Sequence, residues 1–227
     1  MAEQFDGWTK EYKDSRKNGT DLAWPSETLV RLFKGRYVRN LNSDFSNQKV
    51  LDVGFGNGHN LFFLSSLGLS CYGSEVTQEI CDLCDNRFRE MNVEADLRVG
   101  KNTQLPFEDN FFDYLVSWNV LHYEDNEIDI VKGIQEYKRV LKPGGRLMLS
   151  TTGPDHLILE NSKTLGCHRY QIGLENEFRK GQVYFYFDNP AYIDYYFSKE
   201  FKEVEIGRTR SDLFNGVLDW FIITAIK

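Results

Sequence analysis

Short apolar runs alternate along the chain with segments whose apolar residues recur at helical spacing. The apolar runs lie near residues 49–53, 69–74, 96–99, 112–118 and 145–151. Before the last run, Glu127 to Leu141 carries apolar side chains three or four positions apart, and Pro143-Gly144-Gly145 ends this predicted helix. Strands that alternate with helices pair in parallel, so the pattern predicts a doubly wound α/β sheet.

The first predicted strand runs directly into a turn with three alternate glycines. Asp52 is followed by Gly54, Gly56 and Gly58, and a helix should begin near the last of these. Glycines let the backbone approach a ligand closely, and the first turn of a helix offers unpaired N–H groups. His59 stands where the dinucleotide fingerprint needs its third glycine, so a pyrophosphate is not expected. An acid at Asp52 suits a cation such as the ammonium or sulfonium of S-adenosylmethionine; an ordinary tight turn is the alternative.

A second acid follows the second predicted strand, at Gly73-Ser74-Glu75. It lies roughly 20 residues beyond the glycine turn, the spacing at which such folds bind a ribose. A carboxylate accepts hydrogen bonds from both sugar hydroxyls. Glu75 is therefore predicted to bind a ribose, and a solvated loop glutamate is the alternative.

Three further segments complete an ordered set of motifs. They are Leu97 to Phe107, Phe111 to His122 and Val140 to Leu147. Together with the glycine turn and Glu75, they resemble the class I S-adenosylmethionine-dependent methyltransferases, particularly the branch that modifies small molecules, over residues 48–152. The resemblance implies a Rossmann-like doubly wound sheet of about seven strands with helices on both faces, mostly parallel, whose last strand inserts antiparallel beside the fifth. Phe201 to Gly207 and Asp219 to Ile226 resemble the closing strand pair.

The resemblance also implies a set of cofactor-binding residues. The methionine end of S-adenosylmethionine would lie over Gly54, Gly56 and Gly58, with Asp52 binding its ammonium directly or through water. Glu75 would bind the ribose.

Three more positions complete the implied cofactor site. The family flanks adenine with an acid followed by a small residue, where this chain has Lys101-Asn102. Lysine cannot accept a hydrogen bond from the adenine amine, so either Asn102 or backbone alone makes that contact. Ser117 and Asn119 would line the methionine side of the pocket, and a polar cap at the strand end is their alternative role.

Two histidines are candidate proton acceptors in catalysis. His122 follows the fourth strand and His156 the fifth, and the carboxyl ends of strands face the ligand crevice in open α/β sheets. A structural histidine is the alternative at each position. No metal site is expected, because Cys81 and Cys84 lack a second pair and are predicted to pack against the sheet.

Four segments of one domain are predicted. Residues 1–45 form a helical cap, with a helix from Glu27, that brings Tyr12, Trp24 or Arg31 to the cofactor. Residues 46–152 form the cofactor-binding core and 201–227 the closing strands. Residues 153–200, rich in aromatic side chains, form a lid over the acceptor. The alternatives for these aromatics are a small core of their own or a contact between two copies in a homodimer.

Charge and composition limit the partners. The net charge of −7 argues against a broad nucleic-acid interface. The chain has no apolar stretch that would span a bilayer and no signal-peptide pattern at its start, which predicts a cytoplasmic protein without a membrane partner. The expected reaction is in-line methyl transfer from S-adenosylmethionine to oxygen, nitrogen or carbon of a small molecule. A nicotinamide-dependent oxidoreductase and a non-catalytic cofactor-binding protein remain the alternatives.

Overall fold

Seven strands form the central sheet. The computed structural model describes residues 2–18, 24–41, 43–175 and 177–227, so positions 1, 19–23 and 42 of the predicted cap and position 176 of the predicted lid lie outside the described residues. The strands are β1 (Lys49–Val53), β2 (Ser70–Glu75), β3 (Ala95–Val99), β4 (Phe112–Trp118), β5 (Leu141–Thr152), β9 (Lys202–Leu213) and β10 (Gly216–Ile226). Their order across the sheet is β3-β2-β1-β4-β5-β10-β9.

The predicted fold class is confirmed. Strands β1 to β5 pair in parallel, with β1 between β2 and β4. The last strand, β10, runs antiparallel beside β5, and β9 pairs antiparallel at its other edge. Because β1 and β4 are neighbours whose connections leave in opposite directions, a crevice opens at their carboxyl ends, where ligands of such sheets bind.

In the described part of the chain, six α-helices accompany the sheet. They are α1 (Ala2–Asn18), α2 (Glu27–Lys34), α3 (His59–Ser66), α4 (Gln78–Glu90), α5 (Glu127–Val140) and α6 (Pro190–Phe197). Alternate residues of the inner strands enter two cores on opposite faces: Val116 of β4 belongs to the core beneath α2, α3 and α4, and Leu115 belongs to the core beneath α5 and α6. Burial on both faces explains why these strands read as continuous apolar runs. Among the described residues, none of the helices is long and apolar enough to cross a membrane.

The end of the predicted helix over Glu127 to Leu141 differs from the structure. Helix α5 ends at Val140, and Leu141 already has extended backbone angles (φ −72°, ψ 142°). Pro143, Gly144 and Gly145 belong to β5 instead of separating the helix from the strand. Pro143 disfavours helical backbone at Lys142, and Gly144, with φ of +79°, accommodates the register shift against β4.

Residues 153–200 have secondary structure of their own. A three-stranded sheet comprises β6 (Lys163–Gly166), β7 (Arg169–Gln171) and β8 (Val183–Phe185). Helix α6 follows this sheet, with Pro190 in its first turn. Its N-cap, Asn189, accepts hydrogen bonds through its side chain from the N–H groups of Ala191 (3.0 Å) and Tyr192 (3.3 Å). We call residues 153–200 the insert.

Candidate cofactor and acceptor site

The glycine turn follows β1, and its three glycines serve two purposes. Gly54 and Gly56 have φ of +67° and +53° and border cavities. Gly58, with φ of +78°, borders neither described cavity. A Cβ on Gly58 would lie 2.5 Å from Cys84 Sγ and 2.8 Å from the Phe88 ring. The structure therefore assigns Gly58 to the close packing of α3 on α4, a role that the ligand-binding prediction did not include.

Asp52 lies buried at the end of β1. Its side chain is 1% exposed, and neither carboxylate oxygen has a hydrogen-bond partner among the described residues. Burial, followed by the nearby Glu75 carboxylate, raises the pKa of Asp52 well above its usual value. An unpartnered buried carboxylate is costly, so this position is suited to a cation.

Glu75 ends β2 and, unlike Asp52, is among the residues that border the described cavities. Its Oε1 accepts a hydrogen bond from the Gly56 N–H (3.0 Å), and its Oε2 accepts one from the Val76 N–H (2.8 Å). Burial raises the pKa of Glu75, although these two hydrogen bonds act in the opposite direction. Glu75 thus fixes the glycine turn besides facing the cavity, and no sequence spacing indicates that contact.

A cavity of about 680 Å³ extends across the carboxyl ends of the parallel strands. We call it the main cavity. At one end it is bordered by Glu75 and by residues 100–103. Asn102 lies there, but its Nδ2 donates to Glu124 (2.9 Å) and its Oδ1 accepts from the Tyr137 hydroxyl (2.5 Å). The Asn102 side chain is therefore already engaged within the protein.

Ser117 and Asn119 differ in their placement. Ser117 is fully buried, its hydroxyl lies 2.9 Å from that of Tyr137, and it does not border the described cavities. Asn119 borders the main cavity and a neighbouring one of about 500 Å³. With φ of +62°, Asn119 is held by Ser150, whose hydroxyl donates to its Oδ1. Asn119 is therefore the one of this pair in position to meet a ligand.

The two predicted proton acceptors are both buried. Burial and the charge of Arg179 lower the pKa of His122 to about 3 and that of His156 to about 4, so both rings are neutral near pH 7. His122 does not border the described cavities and lies beside Thr151, with Nδ1 3.4 Å from Oγ1. His156 borders the main cavity. Its Nδ1 accepts a hydrogen bond from the Ile158 N–H (3.0 Å), which leaves the proton on Nε2. Neither arrangement favours proton abstraction.

Helix α1 covers the main cavity. The Trp8 ring contacts those of Tyr123 (centroids 5.0 Å apart) and Phe178 (4.8 Å), and Tyr12 stacks on it at 5.9 Å. The Tyr12 hydroxyl lies against the glycine turn, 2.6 Å from where a Gly56 Cβ would be. These contacts join the N-terminal cap to the insert above the crevice.

Of the three cap residues predicted to face the cofactor, the structure brings one to the main cavity. Tyr12 borders both cavities, whereas Trp24 borders the smaller one. Arg31 borders neither and forms an ion pair with Glu27 (2.6 Å).

The insert borders the main cavity through few of its aromatic residues, although its composition is rich in them. Four of its aromatic side chains enter the main core beside α5: Phe185, Phe187, Tyr196 and Phe197. The insert residues that border the main cavity are His156, Leu157, Ile158, Arg179 and Gln182. Those four side chains therefore belong to the core, and the lid over the acceptor stays a prediction for the insert. Core packing requires the same residue types, which is why composition could not separate the two roles.

The cysteine prediction is confirmed. Cys81 and Cys84 are both buried on one face of α4, and burial raises the pKa of Cys81 to about 12. Within the described ranges, no group of three His, Cys, Asp or Glu side chains is arranged to bind a metal ion.

Residues 51–149 match a family model described as a methyltransferase domain. The uncharacterized methyltransferase YcgJ of Bacillus subtilis (strain 168) is 31% identical over 105 residues, which are 46% of this chain and 40% of that protein. A probable tRNA methyltransferase 9B of Mus musculus is 31% identical over 142 residues, 61% of this chain and 28% of that protein. The chain thus spans less than half the length of these curated relatives.

A solved structure agrees with the sequence matches. A SAM-dependent methyltransferase from Methanosarcina mazei superposes with a TM-score of 0.69 at 22% identity, covering 82% of this chain and 94% of that one. The likeness shows a shared fold, and the family match lies on the strands and turns that build the main cavity. Residues 51–149 of this chain are thus similar to a methyltransferase domain, and the chain shares the fold of a SAM-dependent methyltransferase.

Proposed function

We propose that the protein transfers a methyl group from S-adenosylmethionine to a small molecule that binds in the main cavity. When bound, S-adenosylmethionine supplies a methyl group that is electrophilic because it is attached to a positively charged sulfur. The observation that carries the proposal is Asp52, a buried carboxylate at the glycine turn with no hydrogen-bond partner among the described residues. A bound ammonium, directly or through water, would be the missing partner.

Other residues fit the remainder of the cofactor. Each oxygen of Glu75 accepts one backbone hydrogen bond and has capacity for another, which suits the two ribose hydroxyls. Gly54 and Gly56 border the two cavities, where the backbone of the turn is accessible to the methionine end. Because the Asn102 side chain is engaged elsewhere, the backbone of residues 100–103 is the better candidate for contacting adenine.

The covered crevice supports a small acceptor. Helix α1 and the insert meet over the main cavity through Trp8 and Phe178, and such a cover excludes water and orients the acceptor for in-line attack on the methyl group. The formal net charge of −7 also disfavours a polyanionic acceptor. A nucleic-acid acceptor is the competing possibility, because several matched relatives are named for tRNA.

The two neutral histidines bear on which acceptor atom can be methylated. With pKa values held near 3 and 4, His122 and His156 do not take a proton near neutral pH. We therefore propose an acceptor atom that is nucleophilic without a histidine base, such as a carboxylate oxygen or an uncharged amine.

Turnover assays test this function. The wild-type protein is incubated with S-adenosylmethionine and either a pool of small acids and amines or total tRNA, and formation of S-adenosylhomocysteine is measured. We expect turnover with a member of the small-molecule pool and none with tRNA. Turnover confined to tRNA would contradict the acceptor class. Binding of NAD in place of S-adenosylmethionine would contradict the cofactor assignment.

A further inference from the structure

The insert places one arginine in the wall of the main cavity. Arg179 is largely buried, with 23% of its side chain exposed, and forms a bidentate ion pair with Glu177: Nε–Oε1 is 2.7 Å and Nη2–Oε2 is 2.8 Å. Its Nη1 donates to the Tyr123 hydroxyl at 3.3 Å. These contacts fix the orientation of the guanidinium group.

Arg179 keeps unused donors after these contacts. A guanidinium group has five N–H donors, and the three contacts leave one on Nη1 and one on Nη2 without a partner among the described residues. Donors on neighbouring nitrogens match two oxygens of a carboxylate or phosphate, which is the geometry that arginine recognises best.

A second donor borders the same part of the cavity. His156 is 8% exposed, and its Nδ1 accepts from the Ile158 N–H, so Nε2 carries the proton. Nε2 has no hydrogen-bond partner among the described residues. Leu157, Ile158 and Trp220 add apolar surface beside it.

Carboxylates form much of the charged lining of the cavity: Glu75, Glu124, Asp125 and Asp129 all border it. Arg179 and His156 come from the insert, after the fifth strand, and border the same cavity. They add hydrogen-bond donors to a lining that is otherwise rich in acceptors.

We propose that the methyl acceptor is a small acid whose carboxylate or phosphate group binds Arg179, with the His156 N–H as a further donor. The inference rests on the proposed function, since it assigns the acceptor class of the same cavity. It makes Arg179 a substrate-binding residue that selects anionic acceptors over neutral analogues of equal size.

Binding of matched probes tests the inference. Affinities for phenylacetate, phenylphosphonate and the neutral phenylacetamide are measured by ligand-observed NMR, with and without S-adenosylhomocysteine. Wild type is compared with Arg179→Gln and with Arg98→Gln. The latter removes an arginine that also pairs with both oxygens of one carboxylate, that of Asp96, but lies outside the main cavity.

We expect an acid to bind wild type and Arg98→Gln about tenfold or more tightly than the amide, the scale of a charged hydrogen bond. Arg179→Gln should lose that preference while its affinity for S-adenosylmethionine changes little. The comparison of phenylacetate with phenylphosphonate identifies the preferred oxyanion. If Arg179→Gln does not fold, Arg179→Lys should keep the charge and lose most of the preference, because it lacks the planar fork.

Three results would overturn the inference: equal binding of acid and amide by wild type, a preference that survives in both Arg179 variants, or no binding of either acid at millimolar concentrations. Failure of the cofactor proposal would show separately, as absence of S-adenosylmethionine binding to wild type in calorimetry.

Discussion

At the scale of single residues, two acids of similar sequence context have different roles. Asp52 is buried and has no hydrogen-bond partner among the described residues, whereas Glu75 accepts two backbone hydrogen bonds and fixes the glycine turn. The motif and spacing sufficed to single out both residues. The motif and the spacing could not predict that Glu75 binds the Gly56 N–H or that the Asn102 side chain is hydrogen-bonded within the protein. Both contacts depend on where loops meet after folding.

Burial of His122 predicts an acid-sensitive fold. The pKa of His122 is about 3 in the folded protein and lies near 6.5 in an unfolded chain. Below pH 6.5 the unfolded state binds the extra proton, so this contribution to stability is intact above pH 6.5 and is lost as pH falls toward 3. The slope approaches about 1.4 kcal/mol per pH unit. Urea unfolding between pH 7 and pH 5 should show a shallower pH dependence for His122→Asn than for wild type. Parallel curves would contradict the assignment.

At the scale of elements, the glycine turn couples a ligand site to helix packing. The alternation of Gly54, Gly56 and Gly58 predicted the turn correctly. It could not predict that Gly58 faces Cys84 and Phe88 of α4, because the sequence does not show which helix lies over the turn. The boundary between α5 and β5 was misplaced for a similar reason, since Pro143 and Gly144 are typical of turns yet lie within a strand here.

Two glycine variants separate backbone strain from packing. Gly58 and Gly144 have φ of +78° and +79°, but an added Cβ meets Cys84 and Phe88 at Gly58 and nothing within 4 Å at Gly144. Left-handed backbone costs each alanine about 1–2 kcal/mol. We expect Gly58→Ala to be more destabilising than Gly144→Ala by about 1–3 kcal/mol, from overpacking. Chemical denaturation measures both; equal losses would show that Gly58 has no packing role.

At the scale of the whole molecule, the doubly wound sheet was predicted from the alternating pattern and its antiparallel last strand from the family resemblance, whereas the packing of the insert against the main core was not predicted. Phe185, Phe187, Tyr196 and Phe197 are part of the main core, so removing residues 153–200 would expose that core. The cover over the cavity consists instead of contacts between α1 and the insert around Trp8. Such long-range contacts leave no periodic signal in a sequence.

Because α1 and the insert cover the main cavity through Trp8, we expect Trp8 to slow the release of the cofactor. Trp8→Ala removes ring contacts with Tyr123 and Phe178, so we expect faster dissociation of S-adenosylmethionine in stopped-flow measurements with little change in unfolding temperature. Tyr37→Ala is the control, since this exposed aromatic residue borders neither described cavity. Equal dissociation rates in wild type and Trp8→Ala would show that the cover does not restrain the cofactor.

We expect Asp52 to be the partner of the cofactor's positive charge. Calorimetric titration of S-adenosylmethionine into wild type and Asp52→Asn tests it directly, with cooperative unfolding of both proteins as the control for folding. Removing a charged hydrogen-bonding partner costs about 1.5–3 kcal/mol, so we expect the variant to bind roughly 10- to 100-fold more weakly. Equal affinity for S-adenosylmethionine in a folded Asp52→Asn protein would contradict this role of Asp52.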